Sequence, residues 1–187
     1  MTYDIILAGV GGQGVLSVAA GIATGAMLQG LNVRQSEVHG MAQRGGAVMS
    51  HLRISDEIIH GDLVGKGSAD MILSMEPLEA LRYLDYLKPD GKLVTASSPV
   101  INIPNYPDEA EILKNVEATG VAVVIDAKAI AKESGNMRAS NMAMVGAASS
   151  YLPIKQDIIE EAIKQMFRSK GETIIQQNIK AFRIGRA

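Results

Sequence analysis

The chain has 187 residues, with no cysteine, no tryptophan and only two phenylalanines. Without thiolates it cannot close a disulfide, use a cysteine nucleophile or ligate an iron–sulfur cluster of the all-cysteine kind. Any electron carrier it works with must sit on another chain. His39, His51 and His60 are the only imidazoles, and no second imidazole or carboxylate lies at ligand spacing from His39. No metal site is expected. No run of about 18 apolar residues is present, so no membrane span is expected. Met1-Thr2-Tyr3-Asp4 leads directly into an apolar segment without the charged start and cleavage site of a signal peptide, which points to a cytoplasmic protein. Charge of one sign is also missing. Eighteen basic and 20 acidic residues interleave to a net −2, which argues against a nucleic-acid partner. With aromatics at 4% and ten methionines, the core must be aliphatic and small, with methionine as pliable filler.

The length suits one domain spanning residues 1–187 with a sizeable core. Residues 3–8 (YDIILA) form a short apolar run ending at Gly9 and read as a buried parallel strand. Residues 14–28 follow with helical spacing. Gly21 and Gly25 interrupt that helix, each costing roughly 1 kcal/mol against alanine, which close approach to a sheet would offset. Gly30 ends it, and a second strand begins at residue 31. The result is a β–α–β unit of right-handed crossover. Residues 47–54 and 57–60 read as a hairpin. Residues 70–74 and 92–95 read as strands around a helix at 76–87, with a turn at Lys88-Pro89-Asp90-Gly91. Residues 97–107, with three of the six prolines, must be extended or looped, and Asp108 to Glu111 read as a solvated acidic face. A strand at 120–126 precedes helices at 127–133, 137–152, 155–168 and 172–182. The expected class is α/β: an open, mostly parallel twisted sheet, Rossmann-like, with helices on both faces and a helical C-terminal layer.

Two glycine-rich segments carry the chemistry. Gly9-Val10-Gly11-Gly12-Gln13-Gly14 fits G-x-G-x-x-G between strand and helix, where backbone amides and a helix N-terminus can face a phosphate. The matching ribose-binding acid would be Glu37, with Arg34 and Arg44 as alternatives for a phosphate. The same glycines also suit plain helix–strand packing. Ser36-Glu37-Val38-His39-Gly40-Met41-Ala42-Gln43-Arg44-Gly45-Gly46 packs an acid, an imidazole, an amide and a guanidinium among three glycines. Glycine admits close backbone approach, and the arginine fork suits a carboxylate or phosphate. The candidate ligand or partner site is therefore Gly9, Gly11, Gly12, Gln13, Gly14, Glu37, His39, Gly40, Gln43, Arg44, Gly45 and Gly46. A subunit interface is the competing reading of the second loop. His51 and His60, on apparent strands, read as structural, and Asn141 as a helix-start cap. No catalytic triad or carboxylate pair can be placed by spacing.

The two segments together, followed by Ser50-His51-Leu52-Arg53-Ile54, resemble the gamma-type chain of the 2-oxoacid:ferredoxin oxidoreductases, and most of all its indolepyruvate type. Asn141-Met142-Ala143 and Asn178-Ile179-Lys180-Ala181-Phe182 extend the resemblance over the whole chain. It implies an enzyme that oxidatively decarboxylates a 2-oxo acid, passes the acyl group to coenzyme A and reduces ferredoxin. Thiamine diphosphate and iron–sulfur clusters then belong to a large alpha subunit, and this chain binds neither by itself. Coenzyme A is a candidate co-substrate at the glycine loops. On this resemblance Arg44 would contact an anion, while Glu37, His39 and Gln43 would position groups. The isolated chain would be inactive and able to form a homodimer. Two alternatives remain open: a stand-alone Rossmann-type nucleotide-binding dehydrogenase or sensor, and a purely structural subunit.

Overall fold

Every residue of the first strand from Asp4 to Val10 is buried, as a strand covered on both faces requires. In the computed structural model, which describes residues 1–39 and 45–187, this strand, β1 (Thr2–Val10), lies inside a six-stranded sheet. The others are β2 (Asn32–His39), β3 (Ala47–Ser55), β4 (Ala69–Ser74), β5 (Leu87–Ala96) and β6 (Ala122–Ile125), in the order β2-β3-β1-β4-β5-β6. β1, β4, β5 and β6 run parallel, whereas β3 is antiparallel to both β1 and β2. The α/β class and the open, mostly parallel sheet are as expected.

Alternation along the strands divides the core. Ile5, Leu7, Met71, Leu73 and Val94 face the larger cluster. It is completed by residues of α1 (Val15–Leu28), α4 (Ala127–Glu133), α5 (Ser140–Ser149), α6 (Gln156–Phe167) and α7 (Glu172–Arg186). Ile6, Ile72 and Leu93 point the other way, against Val64, Ala80 of α2 (Pro77–Arg82) and Ile112 and Val116 of α3 (Glu109–Ala118). Helices thus cover both faces, and the C-terminal helices form a layer over one of them.

Several local expectations are corrected. Residues 57–60 form no strand; β3 already has β1 on one side and β2 on the other, so no edge is left for a hairpin partner. The hairpin is β2–β3, across the second glycine segment. His60 is therefore exposed and off the sheet. β3 also separates β1 from β2, so the β–α–β unit joins strands that are not neighbours. Lys88 to Gly91 do not connect helix to strand but bulge within β5. Ala69 pairs with Leu87 and Met71 with Lys92, so the register jumps across those residues. The helix of residues 76–87 is shorter, α2 closing at Arg82 before a 3-10 turn, Leu84–Tyr86. The acidic stretch opens α3, where the Asp108 carboxylate accepts the Glu111 N–H at 3.1 Å.

Gly21 and Gly25 face helices rather than the sheet. A Cβ at Gly21 would lie 3.5 Å from Met166 Sδ of α6, and one at Gly25 3.4 Å from Ile159 Cγ1. Because the Gly21 neighbours are flexible methionine and valine tips, Gly21→Ala should raise unfolding free energy by about 0.5–1 kcal/mol, the helix-propensity gain. Chemical denaturation checks this.

His51 is 3% exposed, and its Nδ1 accepts the Val64 N–H at 3.1 Å. It anchors the 56–68 segment to β3, the structural role expected. Burial lowers its pKa from 6.5. Above pH 6.5 both folded and unfolded states hold a neutral ring. Below it the unfolded chain takes the proton first, so stability falls as pH drops. Asparagine can still accept from Val64 N–H without titrating, so stability of His51→Asn should depend less on pH below 6.5, measured by urea unfolding at stepped pH.

Candidate functional site

The first glycine segment closes β1 and opens α1. Gly14 caps α1 with φ 82° and no side-chain cap. A Cβ there would run into the Asn141 side-chain amide, so glycine is required by both backbone and neighbour. Gly12, at φ 102°, faces open space. Gly9 is buried, and a Cβ would lie 2.9 Å from Val15 Cγ2 and 3.1 Å from Met75 Cβ; its role is close packing. Gln13 turns inward: Oε1 accepts the Val10 N–H at 2.7 Å and Nε2 donates to the Met75 carbonyl at 2.9 Å. Its amide ties the ends of β1 and β4 together.

The end of the second segment docks on the first. Gly11 N–H donates to the Gly46 carbonyl at 2.8 Å, and Gly45 N–H to the Gly11 carbonyl at 3.2 Å. Beside this contact opens a cleft of about 440 Å³ lined by Val10, Gly11, Gly12, Gly14, Val15, Leu16, Ser17 and Val48. α1 follows β1 onto one face and α2 follows β4 onto the other, so the switch point of the sheet lies between β1 and β4, on the Met75 side of Gly12, whereas this cleft lies on the β3 side of β1, against Val48. Among the described residues, the N–H groups of Gly12, Gly14, Val15 and Leu16 meet no acceptor, leaving an amide-lined helix start able to face an anion. No described lining residue ionises. On the other side of Gly12 a smaller cavity of about 280 Å³ reaches Met75, Ala96, Val100, Lys128 and Asn141.

The structure thus brings Gly11, Gly12, Gly14, Gly45 and Gly46 together. Glu37 is elsewhere, exposed on the edge strand β2 and accepting from Gln35 Nε2 at 3.0 Å. Arg34, also on β2, lies 3.8 Å from Asp62. Gly40, Gln43 and Arg44, and the side chain of His39, lie outside the described residues. Glu37's placement bears on the dinucleotide reading. That fingerprint needs its acid on the strand beside β1, but β3 intervenes, moving the acid's strand to roughly 9–10 Å from β1 rather than roughly 5 Å. The nucleotide-binding alternative loses its geometric basis.

Three polar residues that spacing did not single out for the site support it. Asn141 caps nothing; from the first turn of α5 its Nδ2 reaches the Gly14 carbonyl at 3.4 Å. Asn102 Nδ2 donates to the Gly45 carbonyl at 2.8 Å. Glu76 is 1% exposed. Its carboxylate accepts the Glu79 N–H at 2.8 Å, the Val100 N–H at 3.4 Å and the Tyr106 hydroxyl. Burial raises the Tyr106 pKa, and the Glu76 carboxylate raises it further. Burial also raises that of Glu79, while Arg82 at 3.0 Å opposes the shift.

Groups of three or more histidine, cysteine, aspartate or glutamate side chains able to hold a metal are absent among the described residues. The whole sequence offers no thiolate for a cluster. The donor set of this chain does not fit an iron–sulfur centre. Among the described residues no helix is long and apolar enough to cross a membrane.

Residues 4–187 match the model of the family described as pyruvate ferredoxin/flavodoxin oxidoreductase. The indolepyruvate oxidoreductase subunit IorB of Pyrococcus horikoshii is 37% identical, over 98% of this chain and 94% of its own. The gamma subunit of a keto/oxoacid ferredoxin oxidoreductase from Geobacter sulfurreducens superposes with a TM-score of 0.70 at 26% identity, covering 98% of this chain and 96% of that one. The 2-oxoglutarate:ferredoxin oxidoreductase of Magnetococcus marinus, solved with 2-oxoglutarate, coenzyme A and succinyl-CoA, gives a TM-score of 0.76 at 26% identity. This chain is covered to 99%, but spans only 30% of that longer one. A sheet with an antiparallel strand beside β1, a glycine-built cleft and an end-to-end match to small oxidoreductase subunits lead to one assignment: the chain belongs to the pyruvate ferredoxin/flavodoxin oxidoreductase family.

Proposed function

We propose that this chain is the small, cofactor-free subunit of a cytoplasmic 2-oxoacid:ferredoxin oxidoreductase of the indolepyruvate or aryl-pyruvate type. The observation that carries the reading is the 37% identity to an indolepyruvate oxidoreductase subunit over almost the full length of both chains. The cleft agrees with it. Its described lining is apolar side chains, one serine and backbone amides, a surface that can bind and orient but offers no acid or base, and so nothing to activate the serine as a nucleophile. On this reading the chemistry at the cleft comes from another chain.

On this reading a large alpha subunit holds thiamine diphosphate and the iron–sulfur clusters. Those groups supply decarboxylation of the 2-oxo acid and electron transfer to ferredoxin. The residues of this chain do the rest. Gly11, Gly12 and Gly14 keep the backbone low at the start of α1. The amides there that meet no acceptor among the described residues receive a carboxylate or a coenzyme A phosphate, and Gly45 and Gly46, bonded to Gly11, border the cleft. Glu37, His39, Gly40, Gln43 and Arg44 face the partner or its ligand, with Arg44 as the anion contact. Gly9 and Gln13 serve by shaping the loop.

The test is turnover of the co-purified complex with indolepyruvate, phenylpyruvate, pyruvate and 2-oxoglutarate, each with coenzyme A and ferredoxin. Preference for the aryl pyruvates is expected; a preference for 2-oxoglutarate would refute the substrate assignment. In the same complex Arg44→Ala should raise the apparent KM for the oxo acid or coenzyme A about tenfold or more, the weight of one charge-assisted hydrogen bond. Unchanged constants would remove Arg44 from the site.

A further inference from the structure

We infer that Glu76 is a positioning residue that sets the wall of the glycine cleft from beneath, acting through Tyr106 and Asn102. The inference rests on the reading of that cleft as the place where ligand enters the assembled enzyme.

Glu76 lies at the C-terminal end of β4 and caps α2, where a serine, aspartate or asparagine would satisfy the helix as well. Its longer side chain does more than cap. Oε2 takes the Glu79 N–H at 2.8 Å, which leaves Oε1 to face the 97–107 segment. Oε1 accepts the Tyr106 hydroxyl and the Val100 N–H, the latter at 3.4 Å. Both ends of a stretch containing Asn102 are thereby fixed to one buried carboxylate. The stretch has no regular secondary structure, so these two bonds, together with the packing of Tyr106 on the smaller core, hold its course. Asn102 Nδ2 then holds the Gly45 carbonyl at 2.8 Å, and Gly45 and Gly46 bond to Gly11 from both sides. Two sets of hydrogen bonds, joined through the backbone of residues 100–106, thus run from Glu76 to the cleft edge. Ser74 stiffens its root, its hydroxyl donating to the Glu76 carbonyl at 2.6 Å. Ile101 and Ile103, at 68% and 37% exposure, flank Asn102 without anchoring it, so among the described residues the segment between Val100 and Tyr106 is held by Asn102 alone.

The test uses two variants that spare the core, Tyr106→Phe and Asn102→Ala. Amide exchange by NMR on the full chain is the first readout. The Gly11 and Gly45 amides should exchange about tenfold faster in each variant, on the scale of one net hydrogen bond, while the Leu73 amide in β4 keeps its protection. Unchanged exchange at both glycines overturns the inference. The second readout is steady-state kinetics in the reconstituted complex. Each variant should raise the apparent KM for the oxo acid or coenzyme A about fivefold or more with kcat retained. The double variant should be no worse than the poorer single one, because both cut the same path. Full additivity, or constants unchanged for both substrates, overturns it. If the wild-type chain leaves turnover by the large subunit unaffected, the functional reading fails instead, and the exchange experiment still decides whether the path exists.

Discussion

Gly146→Ala should lower unfolding free energy by about 3 kcal/mol, the upper end of the usual range for overpacking. α5 and α7 cross with backbone against backbone. A methyl group at Gly146 would collide with the Phe182 carbonyl and lie 3.0 Å from the Arg186 amide nitrogen. A methyl at Gly185 on the facing helix would collide with the Ala143 carbonyl. No flexible side-chain tip can yield at either place. The helices themselves must part, opening voids around Met142, Val145 and Phe182, all buried in the larger core. For a domain of this size the midpoint of thermal unfolding should drop by roughly 6–12 °C. The contrast with Gly21→Ala is the diagnostic: the same chemical change in a helix stabilises where the neighbours are pliable side chains and destabilises where they are backbone. Equal effects at the two positions would contradict the packing described.

Glu76→Ala should cost about 2–4 kcal/mol. The loss combines the helix cap, in which the Glu79 N–H loses its acceptor, with a Tyr106 hydroxyl and the Val100 N–H deprived of theirs. Glu76→Gln retains an acceptor oxygen and the side-chain volume, and should recover at least half the loss. Urea unfolding of the two variants measures both numbers. If Glu76→Ala proved neutral, the carboxylate would not be holding the 97–107 segment, and the path to Asn102 would lose its root.

Much of the architecture was legible because apolar runs and glycine punctuation agree. Gly14 and Gly30 bracket α1, and residues 127–133 were read with the bounds α4 has. The capping signature of α3 was also present, Asp108 three residues before Glu111 with Ile112 and Val116 four apart, but the acidic composition masked it. Strand pairing was not legible. The alternation of residues 47–54 identifies a strand yet says nothing about which edges it fills, and β3 lies between β1 and β2. That placement decides function, because it separates Glu37 from the first glycine loop. Within the site, the meeting of Gly11 with Gly45 and Gly46 follows from two glycine segments ending neighbouring hairpin and strand. Nothing local shows the roles of Asn102, Asn141 and Glu76 at the site: the partners that place them there lie 57, 127 and 24 to 30 residues away. Gln13 was visible, but its direction was not: only the structure turns its amide toward Val10 and Met75.

The proposed function is a division of labour, in which this chain shapes a cleft and a larger partner holds the reactive groups. The direct measurement is ferredoxin reduction driven by indolepyruvate and coenzyme A, assayed on this chain alone, on the larger subunit alone and on their mixture. No turnover by this chain, and turnover by the mixture well above that of the larger subunit alone, is the expected result. Ferredoxin reduction by this chain without its partner would contradict it.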